Sequence, residues 1–321
     1  MTSAVIAQRP ATDTTPAIVY RIAGDRAILV EYGEMTFDLS LNFLVLAVDD
    51  ALRAHPPDGM IETAPGFRSI LVSYEPERVS LTKLLGQLDD THERLSTAGA
   101  LSVPSRCFQL PIAFDDSQAT GAVKRYRRSI RDDAVNCEGD NNIDYVVAYN
   151  GLASRDELYE AVLGTDQWSA FIGFFPGLPF LFPLDPRYAV TAPKYNPTRT
   201  WTAECAVGLG GPCWAIYPVE SAGGYQLVGR TIPIYDLAQR NAAFRDSSML
   251  LRAGDRVRFH RVSEEELLAT WDDVHADRYR YEVEDGSLDV AEHLAWTAEV
   301  AEEADAARER REAAAAGTPL P

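Results

Sequence analysis

Cysteine is scarce in this sequence, and the cysteines that are present are not spaced for a joint role. They are Cys107, Cys137, Cys205 and Cys213, with no Cys-x-x-Cys pair among them. The first 16 residues contain no continuous apolar segment of the kind that forms a secretory signal. We therefore expect reduced thiols in a cytoplasmic protein, and we interpret Cys205 as a packed side chain rather than a nucleophile.

Long apolar runs, clustered histidines and a positive net charge are also absent. No apolar run approaches about 18 residues, the length that a transmembrane helix needs, so we expect no membrane span. The five histidines are scattered without a His-Glu-x-x-His pattern, so we predict no protein-bound metal. With 30 basic and 48 acidic residues the net charge is −18, which argues against a nucleic-acid partner because a phosphate backbone would be repelled.

What the sequence does contain is a stretch from Phe171 to Asp236 that is rich in glycine and proline. These residues exclude a long helix and indicate turns of fixed shape, with short strands such as Cys213–Tyr217 and Tyr225–Val228 between them. Five polar side chains are set into the stretch, and their donors suit an anion or a carbonyl. They are Lys194, Asn196, Arg199, Gln226 and Arg230.

Composition and periodicity predict two domains of α+β class between two terminal segments. Residues 1–17 are predicted to be a disordered arm, and residues 18–100 a small sheet with helices on one face. Residues 101–285 contain many short, turn-rich strands, which is typical of a closed barrel. Residues 286–321 are predicted to form an acidic, alanine-rich helix, and its polar second half is either a solvated extension or a docking helix.

Individual elements follow from hydrophobic spacing and from capping residues. The first domain is predicted to contain the strands Ala27–Glu31, Met60–Glu62 and Ser69–Tyr74 and the helices Leu39–Arg53 and Ser80–Leu95.

In the second domain, Pro111 indicates that the strand at Arg106–Phe114 lies at an edge or bends. The basic cluster Lys124–Arg128 is interpreted as a solvated helix face. Ser154 and Ser263 each precede a glutamate by three residues, which predicts two capped helices, and Arg278–Val283 is predicted to be the last strand.

Several motifs resemble the KipI-type family. They are FIGFFPGLPFLFPLDPR, the AVGLGG turn, YPVESAGGYQLVGRT and AGDRVRF, and they lie in the family's order between about Ile18 and Val283. The family includes the B-type subunit of bacterial 5-oxoprolinase and proteins labelled allophanate hydrolase subunit 1. The same structural unit forms the second half of the carboxyltransferase domain of urea carboxylase. The resemblance implies a ferredoxin-like domain followed by a cyclophilin-like β-barrel.

The resemblance also implies a reaction, in which carboxybiotin held by a partner gives its carboxyl group to a urea-, amide- or guanidine-like nitrogen. Donors would then be needed for the ureido anion. Lys194 and Arg199 are candidates for positive charge, and Asn196 for orienting an amide. Other candidate contacts are backbone N–H groups at Gly208, Gly210 and Gly211, the carboxylates of Asp115 and Asp116, and the side chains of Tyr225, Gln226 and Arg230.

The alternative for each of these residues is a purely structural role in a turn or an ion pair. For Arg199 that alternative is a pair with Asp185 or Glu204. Against it, Pro193 before KYNPTRT and Pro197 within it restrict the backbone and predict a stiff loop that presents Arg199 at an exposed barrel mouth.

Two further functions remain open. The motif KYNPTRTW resembles the urea carboxylase branch, whereas GFFPGLPFL resembles the stand-alone subunits and keeps the B-type subunit of an ATP-dependent 5-oxoprolinase, a hydrolase, as an alternative. A regulator that binds a histidine kinase is the other alternative, since one member of the family acts in that way.

Several motifs that catalysis would need are missing from the chain. There is no Met-Lys-Met biotin-attachment site, no GxxxxGK(S/T) loop, no ATP-grasp segment and no amidase Ser-Ser-Lys pattern. We therefore expect the chain to be inactive alone, with biotin and ATP handled by partners. The expected partners are a KipA-like subunit (allophanate hydrolase subunit 2) and either a biotin carboxylase with its carrier or a LamB-type subunit.

Overall fold

The computed structural model of the chain describes residues 4–12, 15–97 and 101–321, which divide into two compact units. The first unit comprises Met1–Ser105 with Ser287–Trp296, and the second comprises Arg106–Gly286 with Thr297–Pro321. Each unit has its own sheet and its own buried core.

The first unit contains an antiparallel five-stranded sheet in the order β1-β2-β3-β5-β4, with two helices. Its elements are β1 (Val5–Arg9), β2 (Ile18–Ile22), β3 (Ala27–Tyr32), α1 (Leu39–Ala54), β4 (Met60–Pro65), β5 (Ser69–Tyr74) and α2 (Leu81–Thr97). Alternate residues of the central strands are buried, as Ile28 and Val30 are in β3, and they pack against Leu52 of α1 and Leu84 of α2. This period of two is what a sheet covered on one face requires.

The N-terminal segment differs from the expected disordered arm. Val5–Arg9 forms strand β1, which pairs antiparallel with β2, and the Arg9 guanidinium lies 2.7 Å from the Asp89 carboxylate. The expectation of disorder is therefore wrong for residues 5–9. Sequence inspection missed β1 because its burial is only partial, which leaves a weak alternation of apolar residues. Residues 1–3 and 13–14 lie outside the described residues.

The second unit begins within β6 and consists of short strands with several helices. Its elements are β6 (Ser102–Phe114), α3 (Ser117–Ser129), α4 (Ile143–Tyr149), α5 (Arg155–Leu163), β7 (Gln167–Ile172), β8 (Pro179–Pro183), β9 (Arg199–Thr202), β10 (Ala206–Gly210), β11 (Cys213–Ile216), β12 (Ser221–Gly223), β13 (Gln226–Arg230), β14 (Arg256–Arg261) and α6 (Glu264–His275). The capping predicted for α5 and α6 is confirmed, since Ser154 and Ser263 accept hydrogen bonds from the Glu157 and Glu266 amides.

Seven of these strands close a ring in the order β6-β13-β10-β11-β8-β7-β14, and β14 returns to β6. The β14–β6 pair is parallel, and the other six joins are antiparallel. Trp214, Leu209 and Val257 belong to the large core of this unit. The opposite face of β10, β11 and β13 packs against α3 through Ala122, Ala215 and Leu227.

The proline in β6 does not place that strand at an edge, so this part of the expectation is wrong. β6 pairs with β14 on one side, and its antiparallel pairing with β13 starts only at Ala113. Pro111 lies opposite His260 in the β14 ladder but precedes the pairing with β13, and its carbonyl accepts a hydrogen bond from the Thr231 hydroxyl at 2.6 Å.

The C-terminal tail is two helices rather than one. The last strand, β15 (Glu282–Asp289), lies four residues further along than predicted, and it is followed by α7 (Val290–Glu299) and α8 (Ala301–Gly317). α8 docks on its own unit. Arg187 pairs with Glu303 at 2.9 Å, and the Ala314 side chain lies against Gly151. Of the two roles considered for the polar half of the tail, the structure therefore shows a docked helix.

Replacing either of two glycines of the second unit by alanine should change the stability of the protein in opposite directions. A Cβ at Gly210 would overlap the Tyr225 ring, whereas a Cβ at Gly121, on the exposed face of α3, would meet nothing within 4 Å. We expect Gly121→Ala to stabilise the protein by about 0.5–1 kcal/mol through helix propensity. Gly210→Ala should destabilise it by about 1–3 kcal/mol through overpacking. Urea unfolding of both variants measures the difference, and equal midpoints would contradict this packing.

Candidate functional site

A pocket of about 210 Å³ opens within the second unit, inside the glycine- and proline-rich stretch. Its lining combines an apolar wall, a backbone edge of small residues and a few polar side chains. These residues are Phe174, Leu178, Phe180, Lys194, Thr198, Ala215, Tyr217, Ala222, Gly223, Gly224 and Tyr225. The volume is below the roughly 300–1,000 Å³ of pockets for drug-sized ligands, so this pocket suits a smaller molecule.

The backbone edge of the pocket is provided by the small antiparallel sheet of β9 and β12. Gly223 pairs with Arg199, and a Cβ at Gly223 would overlap the Tyr217 hydroxyl. The Gly224 carbonyl accepts a hydrogen bond from the Tyr195 amide at 2.7 Å. Glycine is therefore required here because backbone and aromatic ring approach closely, rather than to bind an anion.

Tyr225 forms one wall of the pocket by lying across β10. Gly208 and Gly210 leave the space that its ring occupies, since a Cβ at Gly208 would be 3.0 Å from the Tyr225 Cβ. Burial raises the pKa of Tyr225 well above its usual value, so its hydroxyl stays protonated. The wall is therefore neutral.

Lys194 provides the positive charge of the pocket. Its ammonium lies 5.2 Å from the centroid of the Tyr225 ring, within cation–π range. Among the described residues no carboxylate lies within 4 Å of this ammonium, and the side chain is exposed. An unpaired ammonium beside apolar walls can attract a carbonyl or carboxylate oxygen of a ligand.

The loop that carries Lys194 is held by a network of buried amides. Gln226 donates to the Pro193 carbonyl at 2.7 Å and accepts from Asn136 Nδ2 at 2.9 Å. The Tyr195 hydroxyl donates to Asn142 Oδ1 at 2.8 Å. Because both ends of its amide are bonded and it has no exposed surface, the predicted ligand contact Gln226 is a support of the loop.

Arg199 is buried, with 1% of its surface exposed, so the expected position at an exposed mouth is wrong. Its Nη1 donates to the Tyr225 carbonyl at 2.6 Å, and its Nη2 donates to the Thr202 hydroxyl at 3.2 Å. The guanidinium carbon lies 4.4 Å from the centroid of the Tyr195 ring. The alternative partner Asp185 is also excluded, because it pairs with Arg187 at 2.7 Å.

Two other predicted residues lie on the surface and outside the pocket lining. Asn196 is exposed, and its carbonyl accepts a hydrogen bond from Arg131 at 3.1 Å. Asp115 is exposed at the end of β6 and pairs with Arg155 at 2.8 Å. Neither contributes to the walls around Lys194.

Asp116 and Arg230 form a buried pair at the other end of β13 from Tyr225. The Arg230 Nε lies 3.7 Å from Asp116 Oδ1, and the guanidinium carbon lies 5.1 Å from the centroid of the Trp271 ring. Asp116 also caps α3 by accepting from the Gln118 and Ala119 amides. Burial raises the pKa of Asp116, because desolvation outweighs the nearby arginine.

The predicted oxyanion role of the AVGLGG turn does not fit the backbone hydrogen bonds. Gly208 and Gly210 lie inside β10, paired with β11, and Gly208 is also paired with β13. The Gly211 amide donates to the Ala192 carbonyl at 2.7 Å. The Gly211 donor is therefore already committed to the fold.

Comparison with known proteins places this geometry in a family. Residues 18–245 match the family model described as carboxyltransferase domain, subdomain C and D. The chain belongs to this family. The match contains the whole pocket, from Phe174 to Tyr225.

Relatives of this carboxyltransferase-domain protein fall into two groups. The chain is 37% identical to the urea amidolyase of Lachancea kluyveri, over 91% of this chain and 16% of that protein. It superimposes on the crystal structure of Kluyveromyces lactis urea carboxylase with a TM-score of 0.84, at 34% identity, covering 98% of this chain and 28% of that one. It is also 28% identical to the B-type subunit of 5-oxoprolinase from Bacillus subtilis, over 77% of this chain and 93% of that protein. The chain thus spans about a sixth of the amidolyase.

Sequence reasoning found Lys194 and Tyr225 but missed several other members of the site. Phe174, Leu178, Phe180 and Tyr217 resemble core residues of short strands and turns, and the polar Thr198 was passed over. The signal that could have found Phe174 is its position between Gly173 and Gly177, where a turn holds an aromatic residue away from the strands.

Within the part of the chain that the structure describes, no three His, Cys, Asp or Glu side chains are grouped so that they could hold a metal. Within the same residues, no helix has the length and apolarity needed to cross a membrane. The four cysteines are buried and free.

The burial of Arg199 predicts a loss of stability on substitution. Arg199→Ala removes two hydrogen bonds and leaves a cavity beneath Tyr195, so we expect the free energy of unfolding to fall by about 3 kcal/mol. Arg308→Ala, on the exposed side of α8, is the control and should change it by less than about 0.5 kcal/mol. Chemical denaturation measures both. A stable Arg199→Ala variant would show that this guanidinium does not support the loop.

Proposed function

We propose that the chain is one component of a biotin-dependent carboxyltransferase, which moves a carboxyl group to a small urea-, amide- or guanidine-like nitrogen. The observation that carries the proposal is the Lys194 pocket, which lies within the matched carboxyltransferase segment and holds an unpaired ammonium beside apolar walls. The likeness to urea amidolyase and urea carboxylase supports urea or a related compound as the acceptor.

The pocket volume of about 210 Å³ suits a small ring, such as the ring end of biotin, better than a nucleotide. Its apolar wall of Phe174, Leu178 and Phe180 suits the faces of a small ring, and Lys194 lies at the same pocket. Biotin attached to a partner would supply the transferable carboxyl group. ATP, which the pocket does not suit, would be used by a partner component.

The residues of this chain would position the ring and balance charge. The Lys194 ammonium would hold the ring oxygen and stabilise negative charge that develops there. Tyr225 keeps that ammonium over its face, and Arg199 acts as a positioning residue through the Tyr225 carbonyl. Asn196 and Asp115, which are exposed outside the pocket lining, are proposed to contact the acceptor or a partner component, whereas the buried Asp116–Arg230 pair is left a structural role.

A proton acceptor is missing from the pocket, which supports a multi-component site. The acceptor nitrogen must lose a proton, and none of the lining residues is a carboxylate or a histidine. We therefore propose that the base comes from another component, such as a KipA-like subunit, with a biotin carboxylase and its carrier, or a LamB-type subunit, completing the complex. In the same proposal the two units are the ferredoxin-like and cyclophilin-like domains of a cytoplasmic protein, with boundaries near residues 18–100 and 101–285.

The second candidate function is the B-type subunit of a 5-oxoprolinase. It is favoured by the relative from Bacillus subtilis, because the similarity extends over 93% of that protein and not over a small part of it. The substrate, a five-membered lactam with a carboxylate, would also suit an apolar pocket with one ammonium. Urea and 5-oxoproline therefore have to be compared in the same assay.

The incomplete pocket predicts that the isolated chain has no turnover. Purified alone, it should hydrolyse ATP no faster than a buffer control in the presence of urea or of 5-oxoproline. Coupled phosphate release measures this. Robust substrate-dependent hydrolysis by the lone chain would refute the multi-component assignment.

Because the Lys194 ammonium is unpaired and exposed, replacing it should lower the activity of the complex without lowering the stability of the chain. In the reconstituted complex, Lys194→Met should lower kcat/KM on the order of 100-fold, because a charge that stabilises the transition state is lost. The melting temperature should stay within about 2 °C, since the side chain is exposed. Lys124→Met, an exposed lysine on α3, is the matched control. Full activity of Lys194→Met would remove this residue from the mechanism.

A further inference from the structure

Phe174 combines two features that folding alone does not favour. Its side chain is 74% exposed although it is a large aromatic group, and its backbone φ is +66°. A bulky residue at positive φ is a conformational outlier that costs on the order of 1–3 kcal/mol, and such outliers concentrate at functional sites. Glycine would occupy this position without strain.

The turn around Phe174 is tightly closed, so the strained residue is held in place. The Leu178 amide donates to the Phe175 carbonyl, and the Gly173 amide donates to the Leu178 carbonyl, both at 3.1 Å. Gly177, at φ +78°, is enclosed, since a Cβ there would lie 3.2 Å from the Met249 side chain. The Phe174 ring also meets Phe175 edge-on, with 4.8 Å between centroids. The exposed ring is therefore presented by a fixed turn.

The ring is presented to the Lys194 pocket, whose lining it joins. We propose that Phe174 is a specificity-determining clamp that stacks on a small flat ring bearing an amide or ureido carbonyl, with the carbonyl oxygen directed to Lys194. A ligand between the ring and the apolar wall would cover most of the exposed aromatic surface. The favourable contact would then offset the strain that the free protein carries.

The chemistry of the lining selects this ligand class. Phe180 and Leu178 offer apolar contact to ring faces, and the single ammonium favours an oxygen at the ring edge. No lining residue is acidic, so the pocket has no carboxylate to pair with a cationic ligand. Two ring types share this chemistry: the cyclic urea of biotin and the lactam of 5-oxoproline. The choice of these two probes rests on the proposed function, whereas the clamp itself rests on the geometry.

The test is direct binding of the two rings to the isolated chain, measured by NMR titration with free biotin and with 5-oxoproline. Phe174→Gly removes the aromatic face and relieves the positive φ, so the melting temperature should stay or rise while affinity falls at least 10-fold. Phe174→Trp keeps the face and should bind within about 3-fold of the parent. Leu237→Gly is the matched control, because Leu237 is 77% exposed in the same unit but does not line the pocket.

Each outcome bears on the clamp. Binding of biotin alone supports a cyclic urea as the ligand, binding of 5-oxoproline alone supports a lactam, and binding of both supports the shared ring chemistry. Binding of neither ring overturns the proposal, as does Phe174→Gly binding like the parent. If a ring binds through Phe174 and the reconstituted complex still transfers no carboxyl group, the clamp stands and the proposed function fails.

Discussion

The buried guanidinium of Arg199 is the interaction on which the pocket depends. It ties strand β9 to the more distant Tyr225 by donating to the Tyr225 carbonyl, and it also donates to the Thr202 hydroxyl of its own strand and packs on the nearby Tyr195 ring. None of these partners is a carboxylate, so the cost of burying the charge is offset by two hydrogen bonds and one aromatic face. The shape of the pocket is therefore tied to the folding of the unit, while Lys194 remains free for a ligand.

Glycine makes this arrangement possible where aromatic rings cross the backbone. Gly208 and Gly210 leave the surface on which Tyr225 lies, and Gly223 leaves the space for Tyr217. The pocket that results has apolar faces, one ammonium and no base. Such a site can hold and polarise a ring, but a proton must go to a group from elsewhere. The chain spans about a sixth of the urea amidolyase that it resembles.

The sequence pointed to the stretch that holds the pocket, but it did not show which side chains of that stretch face the pocket and which support the fold. The stretch that glycine and proline spacing singled out does contain the pocket, and Lys194 and Tyr225 line it. Arg199 and Gln226 were expected to contact a ligand, yet both are buried and make their hydrogen bonds within the fold. A sequence shows that a donor is present, but whether the fold itself uses that donor depends on contacts between distant segments. Phe174 was missed for the converse reason, since an apolar residue is taken as core until its exposure is known.

The central claim is that this chain contributes the ring pocket of a carboxyltransferase with a urea-like acceptor. The most direct measurement is transfer of an isotopically labelled carboxyl group, from bicarbonate through a reconstituted complex to free urea, with and without this chain. The account predicts labelled carboxylated urea only when the chain is present, and no labelled product with 5-oxoproline. Transfer that proceeds equally well without the chain, or a complex that only opens the 5-oxoproline ring, would contradict it.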